Sequence, residues 1–247
     1  MKLLLAISCI LFFSILPASF AADAPASSGP FVIAPTIPSL TDSEKQAGWK
    51  LLFDGKTTTG WRGLGRDDFP DQIWEVRDGC LHCRGGKKAD DLVTVDKYDN
   101  FELAFDWMVP KRLGNSGVKY RVQEKKGNGF AFGCEYQCMY DPGANGKDAT
   151  GSLYDVLPPK GKHLNPQGQF NTSRILVSGN HVEHWLNGVR VLQYEFGSDE
   201  FKKAVAKSKF KNSRTWAKEP LGYIVLQDHN DEVYFRNLKI RTRPKSE

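Results

Sequence analysis

The feature that most constrains this chain is a strict period-two alternation in Phe101-Glu-Leu-Ala-Phe-Asp-Trp107. Its odd positions are large and apolar, while Glu102 and Asp106 face the other way. That pattern specifies a half-buried β-strand. Similar segments occupy 72–77, 118–123, 133–140, 174–178, 182–186, 189–194, 222–228 and 233–240. Turn signals separate them, among them Asp78-Gly79, Ser178-Gly-Asn180 and Asn187-Gly188, the last a strong hairpin cue. Many short strands with almost no intervening helix predict an all-β antiparallel sandwich.

With 247 residues, 40% of them hydrophobic and 12% aromatic, the chain has the apolar material for one sizeable core. That excludes a disordered, collagenous or miniature disulfide-only protein. One helix interrupts the strands: Ser198 caps a run in which Phe201 and Val205 recur at i and i+4, an insertion expected on the sandwich edge. The stretch 141–170, rich in Gly, Pro, Asn and Lys, reads as a long loop of the kind that is often functional.

At the N-terminus, Lys2 precedes an apolar run over 3–16, and Ser19 and Ala21 supply small residues. This predicts a secretory signal peptide, residues 1–21, cut near Ala21, and hence a periplasmic or extracellular protein. The run of about 14 apolar residues is shorter than the roughly 20 of a spanning helix, so no membrane span is expected after cleavage. Residues 22–47 follow as a Pro/Ser-rich linker and a short helical turn, in which Thr41-Asp-Ser-Glu44 forms a capping box and Gly48 a stop. The domain proper is expected over 48–247.

Removing Lys2 from 34 basic residues leaves 33 against 29 acidic, a formal balance of +4. So weak a charge does not imply nucleic acid, and the lysines clustered over 202–218 read as a solvated helix face. Four cysteines remain in an oxidising compartment: Cys80, Cys83, Cys134 and Cys138. Their C-x2-C and C-x3-C spacings invite a zinc reading, but both pairs lie in strand-like sequence about 50 residues apart. In a regular strand Cys134 and Cys138 start about 13 Å apart, beyond disulfide reach. Bridging between the pairs and free buried thiols both remain open.

Alternation also sorts the polar residues. Glu135 and Gln137 share one face of their strand; Lys119, Arg121 and Gln123 share one of theirs; Gln227 and His229 project together. Lining one sheet, these rows would make a pocket of carboxylate, amide, guanidinium and imidazole groups suited to a polyhydroxylated ligand, with Trp and Tyr faces to stack on its ring. Most such rows are only the wet face of an antiparallel sheet. His82, His163, His181 and His184 read as surface or structural residues. No tight acidic pair of the kind used by conventional glycosidases occurs, since Glu102 and Asp106 sit four residues apart with no cleft assigned. Nor is there a G-x-S-x-G, an H-E-x-x-H or a phosphate loop. Asn171-Thr-Ser173 matches a glycosylation sequon, relevant only in a glycosylating host.

Several stretches then occur in a fixed order: Gly48-Trp-Lys-Leu-Leu-Phe-Asp-Gly55 with Gly60-Trp61, Trp74-Glu-Val-Arg-Asp-Gly79, and Gly114-Asn-Ser-Gly117 with Arg121. Glu135-Tyr-Gln137, Gly151-Ser-Leu-Tyr154, Val182-Glu-His-Trp-Leu-Asn-Gly188, Leu226-Gln-Asp-His229 and Val233-Tyr-Phe-Arg-Asn237 follow. Together they resemble the 3-keto-disaccharide hydrolase domain family over about residues 48–242. The chain departs from the family's Gly-x-x-Tyr-Gln pattern in placing Cys138 after it and the Asp late, at Asp141.

The resemblance implies a jelly-roll β-sandwich of the concanavalin A-like lectin/glucanase type and action on glycosides whose glucose ring is a ketone at C3. A C3 ketone acidifies the C2 proton, so one base, one acid for the leaving oxygen and donors at the enolate oxygen suffice. On this reading Glu135 or His229 is the base and Arg121 stabilises the enolate. Asn115, Gln137, Tyr154, Gln227 and Trp185 position the sugar. No motif specifies a cofactor, although the Asp- and Asn-rich stretch 141–155 offers oxygen ligands to a divalent cation that could hold the fold or polarise the ketone. The rival readings are a non-catalytic carbohydrate-binding module and a hydrolase of unoxidised glycans.

Overall fold

The computed structural model describes residues 33, 37–86, 90–125 and 128–243. The expected signal peptide and most of the linker lie outside them. After a short helix α1 (Asp42–Gln46) come β1 (Lys50–Leu51), β2 (Trp61–Gly63), β3 (Trp74–Arg77), β4 (Cys80–Cys83), β5 (Leu92–Tyr98) and β6 (Phe101–Met108). Next are β7 (Asn115–Lys125), β8 (Asn128–Met139), β9 (Asn171–Ser178), β10 (His181–Leu186) and β11 (Val189–Glu195). Helix α2 (Asp199–Val205), β12 (Gly222–Leu226) and β13 (Val233–Thr242) complete the order.

The strands form two antiparallel sheets, a jelly-roll sandwich. One runs β11-β10-β9-β6-β13-β4-β3, with β1 also on β13; the other runs β2-β5-β12-β7-β8. The alternation that predicted β6 holds residue by residue: Phe101, Leu103, Phe105 and Trp107 are all 0–1% exposed and belong to the inter-sheet core. Phe105 meets Tyr136 of the opposite sheet edge-on at 5.7 Å. Glu102 and Asp106 do face the other way, and each is held there. Arg174, Arg241 and Arg243 surround Glu102, while Thr172 and Asn237 donate to Asp106. Burial alone would raise the Glu102 pKa, but the hydrogen bonds from Arg174 and Arg241 outweigh it and hold the carboxyl below its usual range.

The turn chemistry is as the sequence specifies. Asp78 and Gly79 (φ 51° and 74°) join β3 to β4, and Asn187 and Gly188 (φ 47° and 82°) join β10 to β11, both with the paired positive φ of a type I′ turn. Thr41 forms its capping box with Glu44, and Ser198 Oγ accepts from Phe201 N at 3.1 Å to start α2. Strand β5 has no period-two signature because its first residues, Leu92 to Thr94, are covered on both sides while Val95, Asp96 and Lys97 are exposed. Leu92 joins the inter-sheet core, while Val93 packs with Leu64, Val122 and Val225 in a small cluster of its own. Ile33, in the expected linker, is buried with Cys80, Met108 and Tyr234.

One irregularity decides the site. Strand β7 pairs with β12 as Val225↔Lys119 and Tyr223↔Val122, so one strand advances three residues while the other advances two. The extra residue is a β-bulge with Arg121 at φ 54°. A Cβ on Gly222 would lie 2.5 Å from the Arg121 carbonyl carbon, so only glycine lets β12 pass so close to the bulge. Among the described residues no helix is long and apolar enough to cross a membrane.

Candidate active site

A cleft of about 350 Å³ opens against β7 and β8 of the five-stranded sheet. The register Lys119↔Glu135 and Gly117↔Gln137 sets its floor. Glu135 reaches across Gly117: a Cβ there would sit 2.8 Å from Oε1 and 2.9 Å from Cγ, so the glycine vacates the space the carboxyl uses. Lys119 Nζ lies 3.3 Å from Asp91 Oδ2, and Asp91 Oδ1 accepts from Asp228 N at 2.9 Å. Asp228 in turn accepts from Asp90 N and Asn230 N, at 3.0 and 2.8 Å. This chain of carboxylates fixes the segment after β12 that carries Gln227 and His229 into the cleft. Gln227 N donates to Gly117 O at 2.9 Å, and Ser116 Oγ donates to Gln227 O at 2.8 Å.

The opposite wall comes from the long loop and the segment after α2. Tyr154 N donates to Glu135 O at 3.0 Å, placing its ring in the cleft. Lys209 N donates to Asp155 Oδ2 at 2.5 Å, and its ammonium lies 4.1 Å from the Tyr154 ring centre. Phe132 and Phe210 meet edge-on at 6.1 Å and supply the apolar surface.

Among the described residues the Glu135 carboxylate makes no hydrogen bond and no ion pair. Burial pushes its pKa above the usual carboxylate range, opposed by the positive charges of Lys119 and Lys209. Burial likewise lowers the Lys209 pKa against the pull of Glu135 and Asp155. The Tyr154 hydroxyl is raised by burial and then by the Glu135 charge. A carboxylate of raised basicity thus faces two ammonium groups and a phenol. That set can take a proton from carbon and give protons or hydrogen bonds to oxygen.

Of the residues singled out from the sequence, Glu135, His229, Asn115, Tyr154 and Gln227 line this cleft together. Gln137 is fully buried behind it: its Nε2 donates to Asn115 Oδ1 at 2.9 Å, so it orients Asn115, and its own Oε1 has no partner among the described residues. Two expected members do not join. The bulge carries Arg121 out of the Lys119 row into a different cleft, with Nη2 donating to Gly179 O at 2.7 Å. Trp185 sits on β10 in the other sheet, Nε1 donating to Glu183 Oε2 at 2.8 Å under the Arg174 guanidinium. Lys119, Asp91 and Asp228 were not singled out as site residues. The sequence pattern places Lys209 with the lysines of a solvated face. Only the alternation of Lys119 with its strand pointed to any of them.

The four described cysteines are buried free thiols, and burial pushes Cys80 up to about 11 and Cys134 up to about 12. Among the described residues no group of three or more His, Cys, Asp or Glu is arranged to hold a metal ion. In the stretch 141–155, the Asp141 carboxylate meets Lys162 Nζ at 2.6 Å and accepts from Thr150 N, and Asp155 meets Lys147 Nζ at 2.7 Å. These acids already have cationic partners, and Asp141 anchors the loop.

The chain is 35% identical to the 3-keto-disaccharide hydrolase of Bacteroides thetaiotaomicron over 78% of each protein. Among solved structures, a Parabacteroides distasonis protein assigned as a glycosyl hydrolase superposes with a TM-score of 0.75 at 34% identity, covering 83% of this chain and 99% of that one. A second such protein from that organism, at 24% identity and TM-score 0.63, covers 79% of this chain and 99% of its own and shares the fold. The model of the 3-keto-alpha-glucoside-1,2-lyase-like domain matches residues 48–241, and with the cleft of Glu135 built from that same stretch, the chain belongs to the 3-keto-disaccharide hydrolase family.

Proposed function

We propose that this protein hydrolyses glycosides whose glucose ring carries a ketone at C3, by elimination followed by hydration. Glu135 takes the C2 proton, and the C2–H electron pair forms an enolate onto the C3 oxygen. The enolate collapses to expel the C1 oxygen, which leaves protonated as the free alcohol. Water then adds at C1 of the enone and C2 regains a proton, giving 3-ketoglucose with no net oxidation. The observation that carries this reading is the Glu135 carboxylate, unpaired among the described residues, raised in basicity by burial and faced by Lys119 and Lys209.

In that scheme the two ammonium groups serve the enolate oxygen, the role the sequence reading gave to Arg121. Tyr154 and His229 flank the leaving oxygen as proton donors, and Asn115 and Gln227 position ring hydroxyls. An enolate is a localised anion, and preorganised donors in a cleft are worth more there than in water. The test uses a 3-keto-glucoside carrying deuterium at C2. A primary isotope effect on aglycone release that disappears together with turnover in Glu135→Gln supports the scheme; turnover at the native rate in that variant removes Glu135 from it.

A further inference from the structure

Arg121 and Lys119 are both buried basic residues on β7, and the two are handled differently. Lys119, 8% exposed, pairs with Asp91. Among the described residues Arg121, 4% exposed, pairs with no carboxylate, and its buried Nε has no hydrogen-bond partner. Its guanidinium carbon lies 3.8 Å from the centre of the Phe196 ring, and among the described residues only a backbone carbonyl, Gly179 O, accepts from it. A buried cation without a counter-charge is costly. The bulge adds to the cost by holding a non-glycine residue at positive φ.

The guanidinium lines a second cleft, of about 390 Å³, between β7 and the α2 insertion. The other walls are aromatic. Phe201 stacks over Trp216 with planes 9° apart, and Phe210 stacks on Trp216 at 4.3 Å and 11°. Trp216 is fixed by its Nε1, which donates to Gly133 O at 2.7 Å. The second charged residue at this cleft, Lys218, has the same sign as Arg121, and no acid lines it. Phe210 also lines the Glu135 cleft, so the two share a wall.

An unpaired buried guanidinium set among flat apolar walls matches an organic acid: a carboxylate accepts from arginine in the fork geometry that suits both, and a planar body packs on rings. We propose that this cleft is a second binding site, for a carboxylate carried on an aromatic or similarly flat apolar body, with Arg121 holding the anion. It is independent of the chemistry at Glu135.

The probe is 2-naphthoate, titrated into the purified protein beside the uncharged 2-naphthamide and the non-aromatic anion glucuronate, with binding followed by ligand-observed NMR. Saturable binding of 2-naphthoate at least about tenfold tighter than of either comparator is expected, in line with a charge-assisted hydrogen bond. Arg121→Gln should abolish that preference. Val205→Phe, which keeps Arg121 but fills the cleft from α2, should weaken 2-naphthoate by a similar factor and covers the case of a poorly folded Arg121 variant. Equal binding of acid and amide, tighter binding of glucuronate, no binding of 2-naphthoate, or undiminished binding in Val205→Phe would each overturn the proposal.

Discussion

A carboxylate that burial holds toward its neutral form costs stability wherever it is ionised, and Glu135 is in that position. Its folded pKa lies above the unfolded value of about 4.3. Between the two, the unfolded chain has released the proton and the folded chain has kept it. Stability is therefore full below the unfolded pKa and falls as pH rises through the folded one. Glu135→Gln removes that penalty. Thermal melts should show the variant with a higher Tm than the native protein at pH 7 and no difference below about pH 4. The same substitution should lower kcat roughly 10²- to 10⁴-fold, the usual contribution of a general base. Because a base must be ionised to act, the acidic limb of kcat/KM should sit above the ordinary glutamate range. A limb in that ordinary range, or a variant Tm that falls at neutral pH, would contradict the assignment.

At the level of elements, the site depends on how β7 and β8 are paired. Gly117→Ala puts a Cβ 2.8 Å from Glu135 Oε1, so the carboxyl must move while the strand pairing survives. A displacement of this size is expected to cost about tenfold to 100-fold in kcat, with a Tm change small enough to leave the protein folded at assay temperature. Steady-state kinetics alongside melts would separate the two effects. Native kcat in Gly117→Ala would mean that the carboxyl position is not critical.

The same elements show what the sequence could reveal. Strict alternation was enough for β6, and for Glu135 in β8, because one face of each meets the core and period two survives. It failed for Arg121, because a bulge breaks parity and the residues that permit it, such as Gly222, lie about 100 positions away in the chain. Strand β5 gave no alternation because Leu92 and Val93 are covered on opposite faces. Trp185 belongs to a matching motif, but motif membership does not say which sheet a residue joins. Lys209 looked like one of many helix lysines, and only the tertiary contact with Tyr154 and Asp155 distinguishes it.

For the molecule as a whole, packing isolates all four described cysteines from solvent, Cys83, Cys134 and Cys138 in the inter-sheet core and Cys80 in the cluster with Ile33, and burial disfavours the thiolate at each. Since the thiolate is the reactive form, the native protein should resist a thiol-specific disulfide reagent and react fully once denatured. That measurement also tests export. The sequence holds five cysteines, and the fifth, Cys9, lies within the proposed signal peptide. Four titratable thiols in denaturant, with an N-terminus at Ala22, are expected of protein recovered from outside the cytoplasm; five would show that the leader is retained. The most direct test of the proposed function is to incubate the purified protein with 3-keto-trehalose and, separately, with trehalose, following sugar release by NMR. Release of 3-ketoglucose from the oxidised sugar alone is the predicted result; cleavage of trehalose, or saturable binding of 3-keto-trehalose without turnover, would contradict it.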